Sequence, residues 1–203
     1  RRGGRDGLRS ARARVAARVV TRARSRPAAT APRVRRRRGL PPVLAADTRV
    51  LILGSFPGEA SLAARQYYAH PRNHFWPLLA AIVGEPLPGM PYERRLACLK
   101  AHGIGVWDAI VACERPGSLD AAIRAATRAE TARVHRAAPK VAIVCFNGRT
   151  AARAAPVWRE AGYATLVLPS TSPAYTRPFA EKLAAWRALA DHLPARPRGP
   201  GPA

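Results

Sequence analysis

Residues 66–76 (QYYAHPRNHFW) gather two tyrosines, two histidines, an arginine, an asparagine and a Phe–Trp pair into one short stretch. Such a group offers aromatic faces for stacking and an amide or imidazole for hydrogen bonding to a ring edge, which are the needs of an extruded nucleobase. A structural reading competes: Phe75 and Trp76 pack a helix start into the core, and Asn73 caps that helix. Two further segments carry chemistry. In Gly54-Ser55-Phe56-Pro57-Gly58, two glycines and a proline follow an apolar run, a tight turn whose backbone N–H groups can approach a ligand. The run lacks the Lys-Ser/Thr of a phosphate loop and the three-glycine spacing of a dinucleotide site, so a plain strand-to-helix turn is the alternative. In Leu168–Tyr175 (LPSTSPAY), Ser170, Thr171 and Ser172 stand among prolines; a rigid loop of small hydroxyls can donate to phosphates, or be a surface turn.

The elements that must position these loops are legible as alternating strands and helices. Arg49–Leu53, Ile104–Ile110, Lys140–Phe146 and Tyr163–Leu168 read as strands, the second weakened by Gly105. Their apolar runs are nearly continuous, which suits a parallel sheet covered on both faces. Phe75–Val83, Tyr92–Ala101, Ser118–Ala138, Arg149–Ala161 and Phe179–Leu193 read as helices, with Ser118 as an N-cap and Pro156 interrupting the fourth. This order predicts a three-layer α/β/α domain around a central, mostly parallel four-stranded sheet, with ligands at the carboxyl ends of the strands.

The formal net charge of +23 at pH 7 implies a polyanionic partner, although an Ala-, Arg- and Pro-rich composition also follows from GC-rich codons. Residues 1–40 hold 15 arginines and one acid, Asp6; a self-repelling tail is expected there, disordered in isolation and adding affinity for phosphates by counterion release. A domain is expected over residues 41–193, and a loose Pro/Gly-rich tail over 194–203. No apolar run is long enough to span a bilayer, and no apolar stretch follows the basic N-terminus as in a secretory signal. Cys98, Cys113 and Cys145 lack the spacing of a metal site or a disulfide framework, so no metal or cofactor and a reducing, cytoplasmic setting are expected.

Taken together, GSFPGEASL, QYYAHPRNHFW, GVWDAIVACERPGSLDAAI and LPSTSPAY resemble the uracil-DNA glycosylase superfamily, and within it the hypoxanthine-DNA (DNA-deoxyinosine) glycosylases, over residues 47–192. The resemblance implies a monofunctional glycosylase that acts on DNA containing deaminated bases; no membrane association is expected, and a monomer is the simplest expectation for a protein that must close on bent DNA. It implies that Gly54–Gly58, Tyr68 and His70 line the base pocket and that Asn73 is catalytic. Pro169, Ser170, Thr171 and Ser172 would contact the DNA backbone. Phe56 departs from the asparagine that other branches carry at its position, and Leu168 from a His or Asn that supports the departing base. Tyr175 replaces a smaller polar residue. Lys100, Lys140 and Lys182 lie outside the three loops, which argues against a Schiff-base nucleophile. A uracil-specific enzyme, a non-catalytic nucleic-acid-binding protein and an enzyme of free nucleosides are the competing readings.

Overall fold

The strongest strand of the sequence, Val50–Gly54, lies at the centre of the computed structural model, which describes residues 36–194. In chain order the elements are β1 (Arg36–Arg38), β2 (Val50–Gly54), α1 (Glu59–Ala64), α2 (Phe75–Val83), α3 (Tyr92–Ala101), β3 (Ile104–Asp108) and β4 (Ile110–Glu114). There follow β5 (Arg124–Arg128), α4 (Thr131–Ala137), β6 (Ile143–Asn147), α5 (Arg149–Ala152), α6 (Ala155–Glu160), β7 (Ala164–Leu168) and α7 (Phe179–Trp186). A parallel sheet has the order β3-β2-β6-β7, and Gly54 stands opposite Asp108 at the carboxyl end of the β2–β3 pair.

The unbroken apolar pattern has its cause in two cores. Val50 and Ile52 of β2, Ile104 and Val106 of β3, and Ile143 and Cys145 of β6 join a cluster with Phe75, Trp76, Leu79 and Trp186. The intervening Leu51, Leu53, Trp107, Val144 and Phe146 face a second cluster with Val134, Ala151 and Trp158. Because successive strand side chains point to opposite faces, a strand covered on both sides must be apolar at every position. The edge strand β7 departs from this, with Val167 half exposed. Gly105 is required by packing: a Cβ there would come within 2.9 Å of both Leu44 and Thr48 in the segment laid over β3.

Three readings of local structure are corrected. The strand expected over Ile104–Ile110 ends at Asp108, and its last residue, Ile110, opens a second strand that belongs to a separate antiparallel sheet of order β1-β4-β5. The helix expected over Ser118–Ala138 contains a 3-10 turn at Asp120–Ala122, then β5, and becomes helical only in α4. Its alanines and arginines favour a helix locally, but pairing with β4 overrides that preference. Residues 149–161 form two short helices, the second with Pro156 in its first turn, where a missing N–H is tolerated. The expected Arg-rich tail meets the described residues only at 36–40, and there Arg36–Arg38 pairs with Glu114–Ala112 as a strand. Its residues 1–35, and 195–203 of the C-terminal tail, lie outside the described residues. No helix among the described residues is long and apolar enough to cross a membrane.

Candidate active site

At the carboxyl ends of β2, β3 and β6 the three loops meet around a cavity of about 320 Å³. The first loop, Gly54–Gly58, forms one wall, and all five of its residues line the space. Its shape is imposed from Arg115–Asp120. The Arg115 guanidinium is fully buried, donates to the Phe56 and Pro57 carbonyls, and lies 4.9 Å from the centre of the Phe56 ring. Ser55 Oγ donates to Asp120 Oδ1 at 2.8 Å, and Ser118 Oγ accepts the Glu59 N–H at 2.9 Å. Ser118 therefore caps α1, 59 residues away, and not a helix of its own as its sequence context suggested.

Phe56 turns its ring away into the packing under Arg115 and beside Gly39, so the loop contributes chiefly backbone to the cavity. Behind the loop stands Asp108, a residue that sequence reasoning left without a role. It is buried, lines the cavity, and its Oδ2 has no hydrogen-bond partner. A Cβ on Gly54 would come within 2.4 Å of Asp108 Oδ1, so only glycine fits there. Burial, reinforced by the Asp120 charge and opposed by Arg115, pushes the Asp108 carboxyl up to about 8. The available signal was positional: an acid closing a buried parallel strand lies where ligands bind in such sheets.

The second loop supplies Tyr68, His70 and Asn73, all of which line the cavity. Tyr68 has φ +54°, an unusual conformation for a bulky residue, and its ring stacks on Phe75 at 3.7 Å. Its hydroxyl is buried beside the Asn147 side chain. The N-cap of α2 is His74, one residue after the one expected; Asn73 Oδ1 instead accepts the Phe75 N–H at 3.0 Å in a local turn before the helix, and its second lone pair and amide NH₂ stay beside the cavity. His70 Nδ1 accepts the Arg72 N–H at 3.2 Å within its own turn. Phe75 and Trp76 are core residues, as the competing reading had them.

The third loop is clamped by Asn147, another residue the sequence did not single out. Its side chain donates to Thr171 Oγ1 and accepts the Thr171 N–H, both at 2.9 Å, and Thr171 is fully buried. Gly148, at φ +92°, admits Ser170, which a Cβ would meet at 2.9 Å. Loops two and three are tied where the His74 N–H donates to the Thr171 carbonyl at 3.0 Å. Pro169 does not line the cavity; its carbonyl accepts from Trp186 Nε1. Ser170, Ser172 and the exposed Tyr175 do line it. Leu168 is core, in the cluster of Val50 and Trp186. Buried Lys182 donates to the Tyr175 carbonyl at 2.7 Å and lies 3.5 Å from His74 Nδ1, bracing the loop from behind. Burial first, and then the Lys182 charge, lower the His74 pKa and favour its neutral ring.

A sequence model of the Uracil DNA glycosylase superfamily matches residues 41–190. The chain is 40% identical over 156 residues to a hypoxanthine DNA glycosylase of Methanosarcina acetivorans, covering 77% of this chain and 99% of that protein. It is 38% identical over 151 residues to a protein of the same name from Methanosarcina barkeri, covering 74% and 96% respectively. A solution NMR structure of a Methanosarcina acetivorans protein superposes with a TM-score of 0.68 at 40% identity, over 76% of this chain and 99% of that one.

Proposed function

The chain belongs to the uracil DNA glycosylase superfamily, and from that membership we infer what its cavity does. It is a monofunctional DNA glycosylase that hydrolyses the N-glycosidic bond of deaminated bases and leaves an abasic site. Hypoxanthine is the substrate that its relatives' names indicate. Uracil presents the same carbonyl beside a ring N–H and enters the same cavity. The observation that carries this reading is the convergence of the three loops, with Asn73, Tyr68 and the first-loop backbone, on one cavity at the strand ends.

The damaged nucleotide swings out of the duplex into this space. Tyr68, held from behind by Phe75, offers its ring as the stacking surface. First-loop N–H groups take the base carbonyl; adenine, with an amino group at that edge, would leave them unpaired at a penalty of about 1–3 kcal/mol. Asn73 positions the attacking water. Its carbonyl oxygen is fixed by the Phe75 N–H, so the amide acts by orientation, not as a strong base. Ser170 and Ser172 contact DNA phosphates, a role supported by their position at the cavity, while Thr171 holds their loop in shape through Asn147. Lys182 braces loop three and is no nucleophile. The protein acts on DNA as a monomer in the cytoplasm.

Single-turnover excision from duplexes carrying one deoxyinosine or one deoxyuridine tests the reading. Asn73→Ala is expected to slow release of hypoxanthine about a hundredfold or more, with DNA binding nearly intact. Loss of the hydrogen bond to the Phe75 N–H lowers stability by about 1 kcal/mol, which a thermal melt separates from the catalytic loss. Unchanged excision removes Asn73 from the mechanism. Cleavage at uracil alone makes the enzyme uracil-specific.

A further inference from the structure

The departing base takes up the electron pair of the broken C1′–N bond and needs a donor to receive that charge. Most polar side chains around the cavity are committed: Ser55 to Asp120, Asn147 and Thr171 to each other, His70 to Arg72. Leu168 has no polar group and is buried in the core. The Tyr68 hydroxyl lies beside Asn147, and the buried group lining the cavity that keeps free capacity is the Asp108 carboxyl, whose Oδ2 has no partner. Asp108 is 4% exposed, and the absent side chain of Gly54 leaves its Oδ1 open toward the cavity.

We propose that Asp108, in its protonated form, donates a hydrogen bond to the bound base and transfers that proton as the base leaves. This rests on the glycosylase reading and adds to it the group that neutralises the leaving base. As the C1′–N bond breaks, its electron pair goes to the base, and the proton of Asp108 passes to the ring nitrogen or carbonyl oxygen facing it. Water adds to C1′ and releases a proton to solvent, and the Asp108 carboxylate is reprotonated from solvent. The products are the free base and the abasic sugar. The groups facing Asp108 favour its protonated state at neutral pH. Tyr67 and Tyr68 bring buried, un-ionised hydroxyls; Asp120 repels a second negative charge; Arg115 alone pulls the other way, with its cation shared among Asp120 and two loop carbonyls. Such a carboxyl is charged only above about pH 8, so the donor is present below that pH and lost above it.

The decisive experiment is single-turnover excision of hypoxanthine between pH 6 and pH 10 by wild type and Asp108→Asn. The wild-type rate should fall about tenfold per pH unit above roughly pH 8. Asn keeps the shape and a hydrogen-bond donor but has no proton to transfer. Its rate should be about a hundredfold lower at pH 7, with no alkaline limb near pH 8. A merely structural aspartate would lower the rate and leave the limb in place, which overturns the proposal, as does a wild-type rate that is flat to pH 10. Should Asp108→Asn fail to fold, the wild-type profile decides by the same criterion. Wild type that excises no base at any pH overturns the glycosylase reading and this assignment together, whereas excision with an unaltered profile overturns the assignment alone.

Discussion

Gly54 and Asp108 end neighbouring parallel strands in register, and each constrains what the other can be. With any Cβ at position 54 the carboxyl must move, because the contact would be 2.4 Å, and the Tyr68 hydroxyl at 3.0 Å closes the other side. Gly54→Ala therefore acts on a side chain it does not replace. Overpacking of this kind costs about 1–3 kcal/mol. Excision at pH 7 should fall at least tenfold, with the alkaline limb displaced from its wild-type position. Parallel melting and single-turnover assays check this, and a variant with wild-type rate and profile would show that the carboxyl does not need its present place. At this scale the sequence was half legible. The glycine-rich loop and Asn73 are visible because their residue types are unusual in combination. Asp108 and Asn147 are single polar residues closing apolar strands; that position marks the ligand side of the sheet, but it does not reveal that the carboxyl is buried and unpartnered. The distinction lies in the neighbouring strand, which supplies a glycine at 54, and in Asp120, which arrives from a different segment.

Between elements, the decisive feature is the grip of Arg115–Asp120 on the first loop. Two motifs some sixty positions apart in the chain form one unit: the buried guanidinium fills the concave side of the GSFPG turn and satisfies two of its carbonyls. Asp120 pairs with Arg115 at 4.0 Å while remaining partly exposed, so it can be rehydrated if the arginine is lost; the buried carbonyls cannot. Arg115→Leu would keep much of the packing against Phe56 yet orphan those acceptors. A loss of about 2–4 kcal/mol is expected, together with weaker base binding, and urea unfolding alongside excision at saturating enzyme would measure both. Unfolding free energy within about 0.5 kcal/mol of wild type would mean the loop holds its shape alone. The same contact explains why 118–138 is not one helix. Judged locally it is a capped, alanine-rich helix; in the fold, Ser118 and Asp120 are consumed by another loop and Arg124–Arg128 by a sheet. Sequence pattern reports what a segment prefers alone, and so the four parallel strands, whose preference and burial agree, were read with small boundary errors.

For the whole molecule, five of the arginines among the described residues lie on the antiparallel sheet, in β1 and β5. The antiparallel sheet joins the first loop through Ala109 and Ile110, whose N–H groups donate to Gly54 and Ser55, so DNA engaged at the cavity lies beside a sheet edged with arginine. Arg36 is occupied by Ala125 and Thr127, and Arg37 pairs with Glu59. Arg38, Arg128 and Arg133 line a second cavity of about 540 Å³, where Glu130 is the one acid. If these three arginines hold phosphates flanking the lesion, each displaces condensed counterions, and the slope of log K against log salt changes by about 0.9 for every contact removed. Replacing all three by glutamine should make the slope for an inosine duplex shallower by about 2–3 and weaken binding at low salt. The single-turnover rate at saturating protein should stay at its wild-type value, since the sheet holds none of the reacting groups. Titrations at several salt concentrations measure this. A slope unchanged by the triple substitution would place the phosphate contacts elsewhere. The next region to test is residues 1–35, whose arginines carry much of the remaining positive charge.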